Sequence, residues 1–372
     1  MNESTDDAGQ AGQAGATRLQ ASPEDAPTLP RPSLRTTLHA VLGLSLAVAI
    51  IAWGLPHFAE TTWGQIGHHL QRVGWMVTLE LFGLMALGLW LYTFTLTGSL
   101  PGLTHGKALM MNVAGSAVGN LLPGGGAAGV GVTYLFARSW GFSRLAISTS
   151  VIVSGVWNVL ARVGLPFLGI AMLALDETAL PKAVRRGALF GGLGGLLVLL
   201  AFIAMVVSER WAGRLGEFLD RHIGHWIARL RRGPHKGERV DLRALLQDQR
   251  SRLASVTKTG WLPMTVGVTG FLGIYFVLFW RTMAAVGVDI PTPKLFAAYA
   301  IGRLLTAVGV TPGGLGITEA GTLTVLVAWG ADKPAAAAGV LLFAIFTHIS
   351  EVPLGALGWL GWTLTPKVTP PD

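Results

Sequence analysis

The sequence predicts an all-α, polytopic integral membrane helix bundle with two re-entrant Pro-Gly-Gly hairpins in an inverted repeat. Three observations carry that expectation. Charged residues make up 13% of the 372 residues and apolar residues 51%, against about 25% and 45–50% in soluble domains. Several apolar runs exceed the roughly 18 residues that cross a bilayer. A Pro-Gly-Gly turn also occurs twice inside apolar sequence, at Asn120-Leu121-Leu122-Pro123-Gly124-Gly125-Gly126 and at Val310-Thr311-Pro312-Gly313-Gly314-Leu315-Gly316. The two turns are offset by 189 residues, and the same offset relates Trp140-Gly141 to Trp329-Gly330. Upstream the match slips by two, pairing Lys107 with Lys294 and Gly115 with Gly302.

Residues 1–34 are rich in Ala, Gly, Ser, Pro and acids. They carry too little apolar surface to fold and are expected to be a disordered tail. They are too polar for a signal peptide, so the first apolar run reads as a retained span. Spans are expected near 37–55, 73–96, 145–165, 187–207, 262–282 and 335–363. The chain then divides into a first membrane half at 35–207, a basic insert at 208–260, a second membrane half at 261–365 and a polar tail at 366–372.

The insert carries twelve Lys and Arg residues. Such a bias holds a loop in the cytoplasm. Trp211, Leu215, Phe218, Ile223, Trp226, Ile227 and Leu230 recur at helical spacing with Arg between them. That pattern fits an amphipathic helix on the anionic inner leaflet, or one packed on the protein's own cytoplasmic face. A second amphipathic helix is expected to start at Asp241 and lead back to the membrane at Trp261. With the insert inside, both termini come out cytoplasmic in a cell membrane. Lys182, Arg185, Arg186, Arg281 and Lys294 disagree with that orientation. Trp53, Trp75, Trp261, Trp280 and Trp362 lie near expected span ends, where aromatic belts form.

Three expected spans separate the two turns. An odd number makes the hairpins enter from opposite sides, provided that 145–175 is one span despite Gly164 and Pro166. Two broken segments in corresponding places are the sequence pointer to a transporter-type site, because Pro and Gly interrupt a helix. Lys107–Leu122 would be about 24 Å long as helix, shorter than the roughly 30 Å hydrocarbon core. The arms therefore read as re-entrant half-helices, with tilted full spans as the alternative.

The segment Thr311-Pro312-Gly313-Gly314-Leu315-Gly316-Ile317-Thr318-Glu319-Ala320 is similar to the P-G-G-x-G-x-x-E-A signature of the lysylphosphatidylglycerol synthase transmembrane-region family. Leu122-Pro123-Gly124-Gly125-Gly126 resembles that family's looser first motif. The resemblance covers about residues 36–365. In fused bacterial members this region is the flippase half, and a soluble aminoacyltransferase domain makes the lipid. The chain shows no such soluble domain, so the resemblance implies lipid translocation or a related lipid role rather than aminoacyl transfer. Members often carry Glu or Arg after the first turn, whereas Gly126-Ala127-Ala128-Gly129-Val130-Gly131 is apolar. This departure argues against a symmetric charge-based mechanism.

Ionisable residues at mid-membrane cost about 2.5–3.5 kcal/mol each on insertion scales, so each needs a reading. Glu319 should sit in the first turn of a half-helix, as ligand for a cationic headgroup or proton site, or as a helix cap paired with Arg. Arg303 suits a phosphate, or an ion pair with Glu319 or Glu351. Arg162 is a headgroup contact or an interface anchor. Glu80 needs a partner that the sequence does not name. His348 and Glu351, three apart, share a helix face as a proton relay or a structural pair. Asn120 satisfies backbone at the first turn or touches a headgroup. The glycines of both turns, Gly124, Gly125, Gly126, Gly313, Gly314 and Gly316, would leave helix-start N–H groups for an anion such as phosphate.

No nucleotide-binding loop or metal-ligand spacing is evident, and Cys is absent. No cofactor, metal or nucleic acid is therefore expected. The expected partners are a membrane phospholipid or polyprenyl-phosphate lipid, and anionic inner-leaflet lipid at the insert. The leading function is a lipid flippase or transporter. A structural or recruiting envelope protein and a membrane-lipid biosynthetic enzyme are the alternatives. A charged, water-filled groove between the hairpins separates a transporter from a scaffold.

Overall fold

The computed structural model describes residues 45, 48–58, 60–122, 125–175, 197, 242–306 and 311–368. Among them the chain is an all-α polytopic membrane bundle. Helix α1 is Trp63–Leu70, α2 Trp75–Ser99, α3 His105–Leu121, α4 Gly125–Ser139 and α5 Arg144–Leu175. Helix α6 is Leu242–Ala285, α7 Thr292–Leu305, α8 Ile317–Ala328, α9 Lys333–Ala344 and α10 Glu351–Leu364.

Four helical segments are long and apolar enough to cross a membrane: Trp75–Ser99, Arg144–Gly169, Ser255–Ala285 and Lys333–Leu364. They match four of the six expected spans. The expected first span overlaps only a short described stretch, the π-turn Ile50–Gly54 and the helix Leu55–Phe58. The span near 187–207, apart from Leu197, lies outside the described residues. So do residues 1–34, the insert up to 241 and the end of the tail.

Helix α5 runs through Pro166 without interruption, so 145–175 is one helix. Helix α6 likewise continues through Pro263. The helix expected from Asp241 is described from Leu242 and leads through Trp261 into the membrane span as one continuous helix. Proline is tolerated inside membrane helices because neighbouring groups re-satisfy the freed carbonyl. Trp75, Trp261 and Trp280 are exposed near span ends, as an aromatic belt requires.

Lipid tails are as apolar as Leu, so helices associate in a membrane through close packing of small residues. The approach is close where α3 meets α10. A Cβ on Gly355 would lie 2.2 Å from Ala117 Cβ. Gly98 of α2 and Gly260 of α6 touch similarly, with a Cβ on Gly260 only 2.1 Å from Gly98 O. Tyr275, Phe279, Met283, Tyr299 and Phe343 belong to the apolar core shared by α6, α7 and α9.

These contacts level the helix ends. At one end of the bundle, Trp362 Nε1 donates to Ser139 Oγ at 2.8 Å, and Lys107 lies over the Trp140 ring. The start of α3 and the ends of α4 and α10 therefore lie together. At the opposite end, Arg281 pairs with Glu80, His69 Nδ1 meets Val286 O at 2.8 Å, and Lys333 pairs with Glu60. That end holds α1, the start of α2, the end of α6 and the start of α9.

Candidate functional site

The second turn explains its own sequence. Pro312–Gly314 is one turn of 3-10 helix. Gly313, Gly314 and Gly316 have φ of 60°, 79° and 86°, where an L side chain costs roughly 1–2 kcal/mol. The Gly314 N–H donates to Thr311 O and the Leu315 N–H to Pro312 O, both at 3.0 Å. Glu319, three residues after Gly316, accepts from the Gly316 N–H at 2.5 Å through Oε2. This is the carboxylate half of a capping box, favoured further by the helix dipole of α8. The pattern P-G-G-x-G-x-x-E is thus a left-handed turn followed by a self-capped helix. Three of its amides are bonded within the protein.

A π-turn at Ile345–Ile349 separates α9 from α10, with the Ser350 N–H donating to Ile345 O at 2.8 Å. Pro353, which lacks an N–H, cannot bond the Ile349 carbonyl one turn back, and the register widens just before it. Such bulges recur at functional sites. Here the bulge turns His348 towards Gly313 and Glu351 towards Asn120. His348 Nε2 donates to Gly313 O at 3.2 Å, and its Nδ1 lies 3.0 Å from the Thr347 hydroxyl, which itself donates to Phe343 O at 2.9 Å. Glu351 accepts from Asn120 Nδ2 at 3.2 Å and from the Tyr275 hydroxyl at 3.4 Å. Asn120 Oδ1 lies 2.5 Å from the place a Cβ would take on Gly313. The first hairpin therefore rests directly on the second turn.

A cavity of about 760 Å³ opens between the hairpins. Gly115, Gly119, Asn120, Gly125, Gly126 and Gly129 form the wall from α3 and α4. Arg303, Thr306, Thr311, Gly313 and Gly314 come from the second hairpin, with His348 and Glu351 beside them. The remaining wall is Ser150, Ser154, Asn158 and Arg162 of α5, facing Tyr92, Phe271 and Tyr275. The volume falls within the roughly 300–1,000 Å³ of small-molecule sites.

The two arginines stand out. Arg303 is 9% exposed, and its Nη2 has no hydrogen-bond partner. Its guanidinium lies 5.5 Å from the Tyr299 ring and 5.2 Å from the Phe343 ring. Among the described residues no carboxylate comes within ion-pair distance of it, so neither Glu319 nor Glu351 forms the expected pair. Arg162 Nη1 donates to Thr306 Oγ1 at 3.1 Å, one turn beyond Arg303. It points into the cavity rather than to an interface.

The other expected residues are distributed as follows. Glu319 lies behind Arg303, in a gap lined also by Thr318 and Thr322, and not on the large cavity. His348 Nδ1 is 4.0 Å from Glu319 Oε1. Glu80 is far from the cavity in a bidentate pair with Arg281, both bonds being 2.7 Å. That carboxylate also engages one of the basic residues that disagree with the expected orientation. Pro123 and Gly124 lie outside the described residues. Pro312 is buried within its turn. Among the described residues no three His, Cys, Asp or Glu side chains are grouped as metal ligands.

Sequence reasoning missed the polar stripe on α5. Ser150, Ser154, Asn158 and Arg162 are spaced by four, which aligns them on one face of a helix. Four polar residues at that interval in an apolar span were the available signal.

A family model for the lysylphosphatidylglycerol synthase TM region matches residues 40–355. No curated protein matches the chain. With most of its length matched, turn signature included, the chain belongs to the lysylphosphatidylglycerol synthase transmembrane-region family.

Proposed function

We propose that this membrane protein moves a phosphate-bearing lipid between leaflets, with the headgroup passing through the cavity between the hairpins. The observation that carries this reading is Arg303 on the lining of a cavity of about 760 Å³, with no ion-pair partner among the described residues. An unpaired buried guanidinium is costly, and a lipid phosphate would satisfy it with charge-assisted bonds. Arg162 is the second cation at the same end. Asn120, Glu351 and His348 brace the meeting of the turns, and Glu319 caps α8 behind them. Gly125 packs against the Gly119 backbone, and Gly126, open on its Cβ side, lets a headgroup approach the backbone closely.

In this reading both hairpins are re-entrant and related by an inverted repeat. Support comes from their open ends, which lie at opposite ends of the bundle, and from the contact of Asn120 with the second turn beside the middle of the Lys333–Leu364 span. Inverted repeats meeting at a midplane site underlie alternating access. Both termini and the 208–260 insert are placed in the cytoplasm of a cell membrane, the insert holding anionic inner-leaflet lipid through Arg229, Arg231 and Arg232.

Reconstitution into liposomes with tail-labelled phospholipids tests the proposal. Purified protein should make inner-leaflet label accessible to a membrane-impermeant quencher faster than in protein-free liposomes. Equal rates would remove the transport reading.

A further inference from the structure

The lining of the cavity is uneven, and its chemistry specifies more than a phosphate. Both cations, Arg162 and Arg303, stand at one end, linked through Thr306, whose hydroxyl accepts from Arg162 and donates to Arg303 O at 2.6 Å. Among the described residues Glu351 is the one carboxylate on the lining, and internal donors already bond both of its oxygens. The wall between is neutral. Asn158 Nδ2 donates to the Tyr92 hydroxyl at 2.7 Å and to Ser154 O at 2.8 Å. Both of its protons are thereby used, and its Oδ1 is left as an acceptor. The Tyr92 hydroxyl, accepting from Asn158, keeps its own proton as a donor. Tyr92, Phe271 and Tyr275 form a continuous aromatic wall, with ring centroids 5.2 and 4.2 Å apart. A bare phosphate would fill a small part of this volume. A cationic headgroup would meet two arginines and a carboxylate already engaged.

Resting on the transport reading above, we infer that the cavity takes a lipid phosphate bearing a neutral polyhydroxyl group, glycerol or a sugar. The phosphate meets Arg162 and Arg303. The hydroxyls exchange donor and acceptor bonds with Asn158, Tyr92 and Ser154, and their C–H face lies on the aromatic wall. Donors and acceptors paired in this way reject a ligand that lacks hydroxyls, because they would be left unsatisfied. A glycerophospholipid and a polyprenyl-phosphate sugar both supply this chemistry.

The test separates headgroup selection from transport by measuring binding first. Full-length protein in detergent is titrated with tail-labelled phosphatidylglycerol, phosphatidic acid, phosphatidylserine, lysyl-phosphatidylglycerol and a prenyl-phosphate hexose. The same lipids are then scored for leaflet exchange in liposomes. Phosphatidylglycerol or the prenyl-phosphate hexose should bind about tenfold or more tightly than phosphatidylserine and the lysyl lipid. Whichever of the two binds better identifies the source. Asn158→Leu should narrow the preference of phosphatidylglycerol over phosphatidic acid, with unfolding temperature measured alongside. Asn158→Gln should keep more of the preference than Asn158→Leu. Equal binding of all five lipids, or preference for the lysyl lipid, overturns the inference. Selective binding without exchange in any liposome would sustain the headgroup assignment and remove the transport reading.

Discussion

Asn120 and Glu351, 231 positions apart, share a hydrogen bond of 3.2 Å at the meeting of the two turns. The same amide donates to His348 O at 3.4 Å. One side chain thus ties the first hairpin to the π-turn and to the helix after it. Asn120→Leu removes both bonds and leaves a buried carboxylate short of a donor, at about 1–3 kcal/mol. Thermal unfolding in detergent should show that loss, and Asn120→Gln should restore part of it.

Gly313 is constrained twice, by φ of 60° and by the Asn120 oxygen 2.5 Å from any Cβ. Gly313→Ala should cost about 1–2 kcal/mol from backbone strain alone, and more from the clash. Adding Asn120→Ala relieves the clash with its oxygen, but not the 3.1 Å approach of His348 Cδ2 or the strain. In unfolding measurements the double change should therefore still be strained, and full recovery would place the cost elsewhere.

The capping of α8 by Glu319 predicts a graded series. Glu319→Ala removes the acceptor of the Gly316 N–H and should cost about 1–2 kcal/mol. Glu319→Gln keeps an acceptor and should cost less. Because Arg303 forms no ion pair with Glu319, adding Arg303→Gln to Glu319→Gln should change stability by no more than Arg303→Gln does alone. A larger gain in a thermal melt would mean the two charges are coupled after all.

Much of this was legible in the sequence, for physical reasons. Four spans announced themselves because a bilayer demands length and apolarity together. The second Pro-Gly-Gly turn was visible because the φ values of Gly313, Gly314 and Gly316 favour glycine. The roles within the site were harder to read. Glu319 and Arg303 fall sixteen positions apart on adjoining helices, which allows an ion pair but does not make one. The partner of Glu80 is Arg281, on a helix 201 positions away, and no local spacing encodes that contact. The α5 stripe was local and readable, but each small hydroxyl in it is unremarkable alone.

Arg303 tests the account's central claim most directly. Its Nη2 has no protein partner, so Arg303→Gln should leave the unfolding temperature unchanged or higher. Exchange of an anionic phospholipid between liposome leaflets should fall by about tenfold or more, the worth of one hydrogen bond to a charged group. Undiminished exchange in a folded Arg303→Gln protein would contradict the claim that a lipid phosphate passes through this cavity.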